Sequence, residues 1–221
     1  MSSLVLFDFD KTIVSTDTGT AYMKFMLLRS PLRLIACLLA SPLVLVFLPF
    51  NKTKCISFSI LLWLFTVGMP FRKVATLRSK FMARHLENTS TVVYQHAVER
   101  IRKHVKNKDR VVVVSGASQW MVKKVFAHLS LPQVEFACSQ ETRFIGGMIS
   151  RFHCYAENKV KRIKPCLSFT NYQSIIGYSD SAVDIPLLAL CTHRFIVNPK
   201  PNCLKKLTKS FNQSMSVVDW A

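Results

Sequence analysis

Acidic residues are scarce in this chain of 221 residues. Aspartate and glutamate number 12 against 30 lysines and arginines, which gives a formal net charge of +18. Hydrophobic residues still make up 50% of the sequence, and the mean hydropathy is +0.24. A basic and apolar chain favours contact with an anionic membrane surface, where cations are attracted and apolar segments insert. Nucleic acid accounts for the charge but not for the hydropathy.

Metal-binding and disulfide motifs are also lacking. The seven cysteines are scattered, odd in number and form no C-x-x-C pair, which argues against a disulfide framework and a structural zinc site. The six histidines form no H-x-x-x-H pair, so none is assigned to chemistry. The opening MSSLVLF lacks a charged and a long apolar region. We therefore expect no secretory signal there and a cytosolic catalytic head.

Strand and helix patterns alternate outside the segment 16–107. Apolar runs that end in small or acidic residues predict strands at 3–9, 110–118, 173–181 and 193–199. Helices are predicted at 118–129, 156–165 and 181–190. A β-hairpin is predicted at 142–152, with its turn at Gly146-Gly147. The alternation predicts an α/β fold with a mostly parallel sheet that has helices on both faces.

The segment 16–107 is predicted to be a helical cap inserted into a catalytic α/β core of residues 1–15 and 108–221. It contains two runs without a charged residue, 34–51 and 55–71, each near the roughly 17 to 25 residues of a membrane-spanning helix. If the strands before and after it share one sheet, both ends of the insertion lie on the same side, and the chain crosses a membrane twice or not at all.

Three structures remain open for this hydrophobic hairpin, which covers residues 32–71. It spans the bilayer, lies in one leaflet, or forms buried helices of a soluble cap. Cations lie on every flank, so the positive-inside rule does not choose between the first two. These cations are Arg29, Arg33, Lys52, Lys54, Arg72 and Lys73.

Polar side chains follow the predicted strands. Asp8 and Asp10 come directly after the first strand, and Ser115 and Asp180 fall at or just beyond the ends of two others. Ligands of open parallel sheets bind outside the carboxyl ends of the strands. We therefore expect these residues, from remote parts of the sequence, to share one crevice.

Four segments carry a resemblance to a known family: DFDKT (8–12), VVVSGAS (112–118), ENKVKRI (157–163) and GYSDSAVD (177–184). They resemble the four ordered motifs of the haloacid dehalogenase superfamily, and the insertion after the first motif resembles its phosphoserine-phosphatase-like branch. The apolar insertion and the ending GYSDSAVDIPLL are most similar to the bacterial phosphatidylglycerophosphatase C family. The resemblance implies a Rossmann-like fold and a Mg²⁺-dependent phosphatase.

The resemblance also implies the catalytic residues. Asp8 is the expected nucleophile, which forms an aspartyl-phosphate, and Asp10 is the expected acid and base. Lys159 is expected to neutralise Asp8 and the phosphoryl group, with Lys161 as the competing choice. Lys11 stands where many relatives have glycine, a departure that leaves these assignments intact.

The remaining expected residues bind substrate and metal. Ser115, Gly116 and Thr12 are assigned to the phosphate-binding loops, with the backbone after Ser115 expected at a helix N-terminus. Close carboxylates repel each other, and Mg²⁺ suits an all-oxygen site. A helix that begins at residue 180 would place Asp180 and Asp184 on one face. In the other interpretation, Asp180 is the N-cap of the helix and Asp184 is an acidic residue of its first turn. The expected metal residues are Asp8, Asp10, Asp180 and Asp184, with Asp184 supporting either the metal or Lys159.

These features predict a phosphatase of a lipid phosphate monoester at the cytoplasmic side of a bacterial inner membrane. The resemblance favours hydrolysis of phosphatidylglycerophosphate to phosphatidylglycerol. The expected partners are an anionic phospholipid substrate and the membrane, with no nucleic acid and no obligate protein partner. Two alternatives stay open: a phosphatase of a soluble metabolite such as phosphoserine, and a non-enzymatic membrane adaptor.

Overall fold

The computed structural model describes residues 2–50, 53–88, 91–131, 134–168, 172–212 and 214–220. Within them, a seven-stranded sheet has the order β4-β3-β2-β1-β5-β6-β7. The strands are β1 (Leu4–Phe7), β2 (Arg110–Ser118), β3 (Glu135–Phe144), β4 (Gly147–Phe152), β5 (Ile175–Ser179), β6 (His193–Val197) and β7 (Ser216–Val218).

Helices surround this sheet. They are α1 (Thr18–Leu27), α2 (Pro31–Phe47), α3 (Lys54–Thr66), α4 (Phe71–Glu87), α5 (Gln95–Lys106), α6 (Gln119–His128), α7 (Glu157–Ser168), α8 (Ile185–Leu188) and α9 (Pro201–Phe211). A 3₁₀ turn, Ala182–Asp184, precedes α8. The predicted helices at 118–129 and 156–165 correspond to α6 and α7, and the one at 181–190 is divided into the 3₁₀ turn and α8.

Strand β1 lies in the middle of the sheet and determines where the site forms. Its four residues are completely buried, as expected for an apolar strand covered on both faces. It pairs in parallel with β2 and β5, with Phe7 opposite both Val113 and Tyr178. The prediction of an α/β fold with a mostly parallel sheet is confirmed, and the carboxyl ends of β1, β2 and β5 meet at one edge.

Strands β3 and β4 form the predicted hairpin, the only antiparallel pair of the described sheet. The turn lies one residue earlier than predicted, at Ile145 and Gly146, because Gly147 already pairs with Phe144. Ile145 (φ 40°) and Gly146 (φ 74°) both have positive φ values, as two-residue hairpin turns of type I′ require.

The two uncharged runs of the insertion have different environments. Helix α3 packs on the β3–β4 hairpin: Trp63 Nε1 donates to the carbonyls of Phe144 and Ile145, both at 3.1 Å, and the Met148 N–H donates to Thr66 Oγ1 at 2.7 Å. Helix α2 is joined to α3 by Ser57, whose hydroxyl donates to the Val44 carbonyl at 2.8 Å. The outer side chains of α2 remain exposed.

The membrane-spanning form of the predicted hairpin is not supported. Among the described residues, no single helix is both long and apolar enough to cross a membrane. Two helix pairs meet the length and composition criteria only when joined, α1 with α2 and α3 with α4, and they are bent by 118° and 107°. Lys52, predicted at the tip of the hairpin, lies outside the described residues.

The predicted boundaries of the cap at residues 16 and 107 stay a prediction. Helix α5 closes the inserted segment, and its residues Ala97, Val98 and Ile101 are buried. His104 of the same helix lies within 3.2 Å of the Tyr178 hydroxyl on β5. This last helix of the segment is therefore in contact with the central sheet.

Substituting Gly147→Ala tests the packing of α3 on the hairpin. A Cβ atom at position 147 would lie 2.6 Å from Trp63 Cδ1, so the indole must shift. We expect the free energy of unfolding to fall by about 1 to 3 kcal/mol, as for other overpacked sites. Chemical denaturation measures the change.

The matched control is Gly19→Ala, because the added Cβ there meets no atom closer than 3.6 Å. We expect this variant to stay within about 0.5 kcal/mol of the parent protein. Equal stabilities of the two variants would contradict the packing described for Trp63.

Candidate active site

A cavity of about 270 Å³ opens where β1, β2 and β5 end. It is lined by several of the residues that the sequence singled out, together with side chains of α1 and α3. The predicted residues that line it are Asp8, Asp10, Ser115, Gly116, Lys159, Asp180 and Asp184. The structure therefore brings together side chains that are up to 176 residues apart in the sequence, as Asp8 and Asp184 are, in line with the topology of a parallel sheet.

Lys159, on α7, joins two of the carboxylates. Its Nζ atom lies 2.7 Å from Asp8 Oδ1 and 2.7 Å from Asp184 Oδ2, and the residue is only 3% exposed. Burial acts to lower the pKa of Lys159, but Asp184 and Asp8 outweigh it, so the pKa lies above its ordinary value. The ammonium is therefore held charged beside Asp8. Lys161 is exposed to solvent.

Asp184 is positioned by the turn that follows β5. The Ser179 hydroxyl donates to Asp184 Oδ2 at 2.7 Å, and Ser181 caps the 3₁₀ turn. The turn begins at Ala182, so the interpretation that a helix begins at residue 180 is wrong. Asp184 is 1% exposed and contacts Lys159 directly. Of the two roles expected for it, the geometry favours support of Lys159; its place among metal ligands stays a prediction.

Asp10 is attached to the first helix of the insertion. Its Oδ1 atom accepts a hydrogen bond from the Thr18 N–H at 2.9 Å, where α1 begins. Burial, with a smaller contribution from Asp17, raises the pKa of Asp10 to about 7. A carboxyl group that titrates near neutral pH can both donate and accept a proton, which suits general acid–base chemistry.

The carboxylates of the cavity carry more negative charge than Lys159 offsets. Burial raises the pKa of Asp8, with Lys159 opposing it, and burial together with Asp184 raises the pKa of Asp180 to about 6. Among the described residues, no three His, Cys, Asp or Glu side chains are arranged to hold a metal by themselves. The set expected from the resemblance needs fewer side chains: Asp8, Asp180, the Asp10 carbonyl and water. These oxygen donors and the excess charge fit a hard divalent cation.

The predicted substrate-binding residues differ in their positions. Ser115 and Gly116 line the cavity, and the Ser115 hydroxyl accepts from the Ala117 N–H at 3.0 Å. Helix α6 begins at Gln119, close to the predicted start, but Ser115 and Gly116 still belong to β2, so the backbone next to Ser115 does not form the helix N-terminus expected there. Thr12 is completely buried and is not among the described residues that line the cavity, so contact with substrate is not supported.

Lys11 has a φ of 59° between the two aspartates and Thr12. Such left-handed backbone favours glycine, which agrees with the glycine expected here from the resemblance. The lysine lowers the pKa of Asp180 by electrostatic attraction, although burial and Asp184 act more strongly in the other direction. Lys11 also lines the cavity and adds a cation at its edge.

Sequence reasoning missed a second polar group in the cavity wall. Glu141 on β3 is bound by the Arg78 guanidinium of α4, by the Ser118 hydroxyl and by Trp120 Nε1. The group ties α4 to the catalytic sheet. No local motif marks it, because Arg78 and Glu141 are 63 residues apart.

His153 was also missed, because no motif or spacing separates it from the other histidines. It lies after β4 and lines the cavity, and burial, Lys54 and Lys159 lower its pKa to about 4. The imidazole is therefore neutral at physiological pH.

Comparison with known proteins identifies the family. Residues 5–189 match the haloacid dehalogenase-like hydrolase family, and the chain belongs to it. A Mycobacterium tuberculosis protein named "Probable phosphatase" is 25% identical over 156 residues, which cover 66% of this chain and 54% of that protein. The chain thus spans about half the length of this relative.

Solved structures share the fold. A Bordetella pertussis protein of unknown function superposes with a TM-score of 0.75 at 18% identity, covering 100% of this chain and 99% of that one. A substrate-bound phosphoserine phosphatase gives a TM-score of 0.60 at 20% identity, with coverage of 93% and 90%. A hydrolase of the same family from Salmonella enterica gives 0.66 at 14% identity, with coverage of 99% and 68%.

Acidification tests the state of His153. Its pKa of about 4 lies below that of an unfolded histidine, near 6.5, so the unfolded chain binds the proton more readily. The associated stability is complete above pH 6.5 and is lost as the pH falls towards 4. Between pH 7.5 and pH 5 we expect the parent protein to lose about 2 kcal/mol more than His153→Gln.

Denaturant titrations at the two pH values measure this difference. The aspartates of the cavity titrate in both proteins and cancel in the comparison. His128→Gln, at an exposed histidine of α6, is the control and should behave like the parent protein. An identical pH dependence for the parent and His153→Gln would contradict a buried neutral imidazole.

Proposed function

We propose that this protein is a Mg²⁺-dependent phosphatase that hydrolyses a lipid phosphate monoester at a membrane surface. The observation that carries the phosphatase part is the contact of Lys159 with Asp8, 2.7 Å long, in a cavity that Asp10 also lines. A nucleophile, a cation beside it and a carboxyl that titrates near pH 7 are the groups that phosphoryl transfer through an aspartate needs.

The reaction follows from these positions. An Asp8 oxygen forms a bond to phosphorus while the bond from phosphorus to the leaving alcohol oxygen breaks, and Asp10 gives its proton to that oxygen. Asp10 then takes a proton from a water molecule as the water oxygen bonds to phosphorus. The bond from phosphorus to Asp8 breaks, phosphate leaves and the carboxylate is restored. Lys159 offsets the negative charge at Asp8 in both steps.

Magnesium is the proposed cofactor. Asp8, Asp180 and the backbone carbonyl of Asp10 would hold it, with Asp184 in the outer part of the site. When bound, the ion supplies positive charge that allows an anionic substrate to approach the carboxylates. The pKa of Asp180, raised to about 6 by burial and Asp184, supports this assignment, because a cation would relieve the repulsion.

The lipid part of the proposal depends on the surface of α2. Seven large apolar side chains of this helix are at least half exposed. Single exposed apolar residues are normal on a protein surface, whereas a group of this size on one helix indicates an interaction surface. They are Leu32, Ile35, Leu38, Leu39, Leu43, Leu45 and Val46. We propose that this surface, here called the α2 face, inserts into one leaflet of the cytoplasmic membrane.

Basic residues near α2 support an anionic surface as its partner. Arg29 is exposed before the helix, and Arg72 and Lys73 are exposed at the start of α4. Arg33, which we expected to contact headgroups, has another role: its guanidinium donates to the carbonyls of Leu64 and Val67 at 2.7 and 2.9 Å, where α3 ends. The three exposed cations remain available for lipid phosphates.

Phosphatidylglycerophosphate is the proposed substrate. The support is the resemblance of the motifs and insertion to phosphatidylglycerophosphatase C, together with an apolar face on the same cap that contributes Lys54 and Phe58 to the cavity. A soluble phosphate monoester is the alternative, in line with the fold shared with phosphoserine phosphatase.

A substrate comparison tests this proposal. Phosphate release from phosphatidylglycerophosphate in mixed micelles should exceed release from phosphoserine and should require Mg²⁺. We expect Asp8→Asn to reduce it by about a thousandfold or more, because the amide is a poor nucleophile. A colorimetric phosphate assay gives the rates.

Two lysine variants serve as controls in the same assay. Lys161→Met, at an exposed position, should keep full activity, whereas Lys159→Met should not. If phosphate is released mainly from phosphoserine, the proposed lipid substrate is wrong and a soluble substrate is favoured. Equal rates for the parent protein and Asp8→Asn would favour the non-enzymatic adaptor.

Leu39→Glu tests the α2 face separately from catalysis. Leu39 is 79% exposed, so a charge there should leave the fold intact and weaken binding to anionic vesicles by about tenfold or more. Vesicle co-sedimentation measures the binding. Val217→Glu, at an exposed valine of β7, is the control and should bind as the parent does. Equal binding of both variants would exclude the α2 face as the membrane contact.

A further inference from the structure

A group of side chains from α3 and from the end of β4 lines the same cavity as Asp8. His153 has its ring centroid 4.9 Å from that of Phe58 and 5.5 Å from that of Tyr155, with the latter pair stacked at 15°. Lys54 Nζ lies 4.3 Å from the centroid of the Tyr155 ring. This group, here called the His153 wall, is absent from the catalytic scheme above.

The hydrogen bonds around Ser139 determine which nitrogen of His153 carries the proton. The Ser139 hydroxyl donates to the Gly116 carbonyl at 2.7 Å, and its oxygen accepts from the Cys154 N–H at 2.9 Å. His153 Nδ1 lies 3.4 Å from the same oxygen. Because the hydroxyl hydrogen is directed to Gly116, the oxygen presents a lone pair to Nδ1. The proton of the neutral imidazole is therefore on Nδ1, and Nε2 is an acceptor.

The Nε2 acceptor has no hydrogen-bond partner within the described part of the chain. His153 is 9% exposed, so its ring is largely shielded from bulk solvent. Buried polar atoms without partners are rare in proteins and call for an explanation. The imidazole ring borders the cavity, so the simplest explanation is that a bound ligand supplies the hydrogen-bond donor.

Lys54 supplies the complementary property. Its ammonium lies on the Tyr155 ring, and no carboxylate of the described residues lies within ion-pair distance of it. The wall thus offers one hydrogen-bond acceptor and one cationic donor to the same cavity. A hydroxyl group matches both, because it donates to a nitrogen and accepts from an ammonium. An ammonium group on the ligand could donate to Nε2 but would be repelled by Lys54, and a carboxylate would be attracted by Lys54 but has no hydrogen to donate to Nε2.

We propose that His153 Nε2 and Lys54 Nζ form a subsite for a free hydroxyl group on the alcohol part of the substrate. The inference rests on the proposed phosphatase activity and narrows its substrates to phosphate monoesters of polyols. A glycerol phosphate headgroup belongs to this class; phosphoserine, with its ammonium and carboxylate groups, does not. The apolar face of Phe58 would pack against the carbon chain of the same alcohol.

Two soluble esters of similar size test the subsite without a membrane: glycerol 3-phosphate, which carries free hydroxyls, and n-propyl phosphate, which has none. The ratio of their kcat/KM values should favour glycerol 3-phosphate in the parent enzyme. His153→Phe keeps an aromatic ring between Phe58 and Tyr155 but removes the acceptor. We expect it to lower the ratio by about three- to tenfold, the effect of one hydrogen bond, while n-propyl phosphate is hydrolysed as before.

Two further variants keep the test decisive. His153→Gln retains an acceptor oxygen and should recover part of the preference, which a purely structural effect would not do. Lys54→Met should lower the same ratio, and it provides the result if His153→Phe does not fold. His128→Phe, at an exposed histidine, should leave the ratio unchanged.

The outcomes separate the subsite from the activity. If the parent enzyme hydrolyses both esters and neither His153→Phe nor Lys54→Met changes their ratio, the subsite is wrong and the phosphatase stands. The subsite is also wrong if each variant lowers both rates equally. If the parent enzyme hydrolyses neither of these esters nor the lipid, the proposed function itself fails.

Discussion

The buried ammonium of Lys159 is the interaction on which the site depends. It lies 2.7 Å from carboxylate oxygens of both Asp8 and Asp184, and all three residues are less than 10% exposed. Removing one member of such a group leaves an uncompensated charge in a poorly solvated place, which is strongly destabilising. The three residues come from the end of β1, from α7 and from the turn after β5. The contact therefore forms only when β1 and β5 are paired and α7 packs beside them, and it couples the fold to the chemistry.

Much of the catalytic centre was predictable from the sequence because parallel sheets place strand ends together. Asp8, Ser115 and Asp180 follow or end buried apolar runs, and the structure brings them to one cavity. The choice of Lys159 over Lys161 agrees with their burial, since only Lys159 faces the sheet. The bounds of β2 agree with the strand predicted at 110–118, whereas the 3₁₀ turn before α8 was not predicted. That turn depends on hydrogen bonds of the Ser179 and Ser181 hydroxyls with Asp184 and the Val183 N–H, which no helical periodicity reveals.

The cap shows more clearly what a pattern of hydrophobicity leaves open. The runs 34–51 and 55–71 look alike in composition, yet α3 packs on the β3–β4 hairpin through Trp63 and Thr66, whereas the outer side of α2 stays exposed. Contacts between residues more than 80 positions apart in the sequence decide which of the two helices is packed against the sheet. The same holds for His153, whose tautomer is determined by Ser139 and whose surroundings come from Phe58 and Tyr155. No spacing in the sequence contains that information.

The cap and the core therefore contribute different parts of the proposed specificity. In the proposed reaction, the core supplies Asp8, Asp10 and Lys159, which would act on the phosphoryl group of any phosphate monoester. The cap would supply the α2 face for the membrane surface and the Lys54 and Phe58 side chains for the alcohol. Asp10 connects the two, since it accepts a hydrogen bond from the first residue of α1.

The most direct test of the central claim is to trap the phosphorylated enzyme. Acid quenching during turnover of phosphatidylglycerophosphate, followed by peptide mass spectrometry, should find one phosphoryl group on Asp8. The adduct should be removed by hydroxylamine, as acyl phosphates are, and should be absent in Asp8→Asn. A phosphoryl group on another residue, or full turnover by Asp8→Asn, would contradict the account.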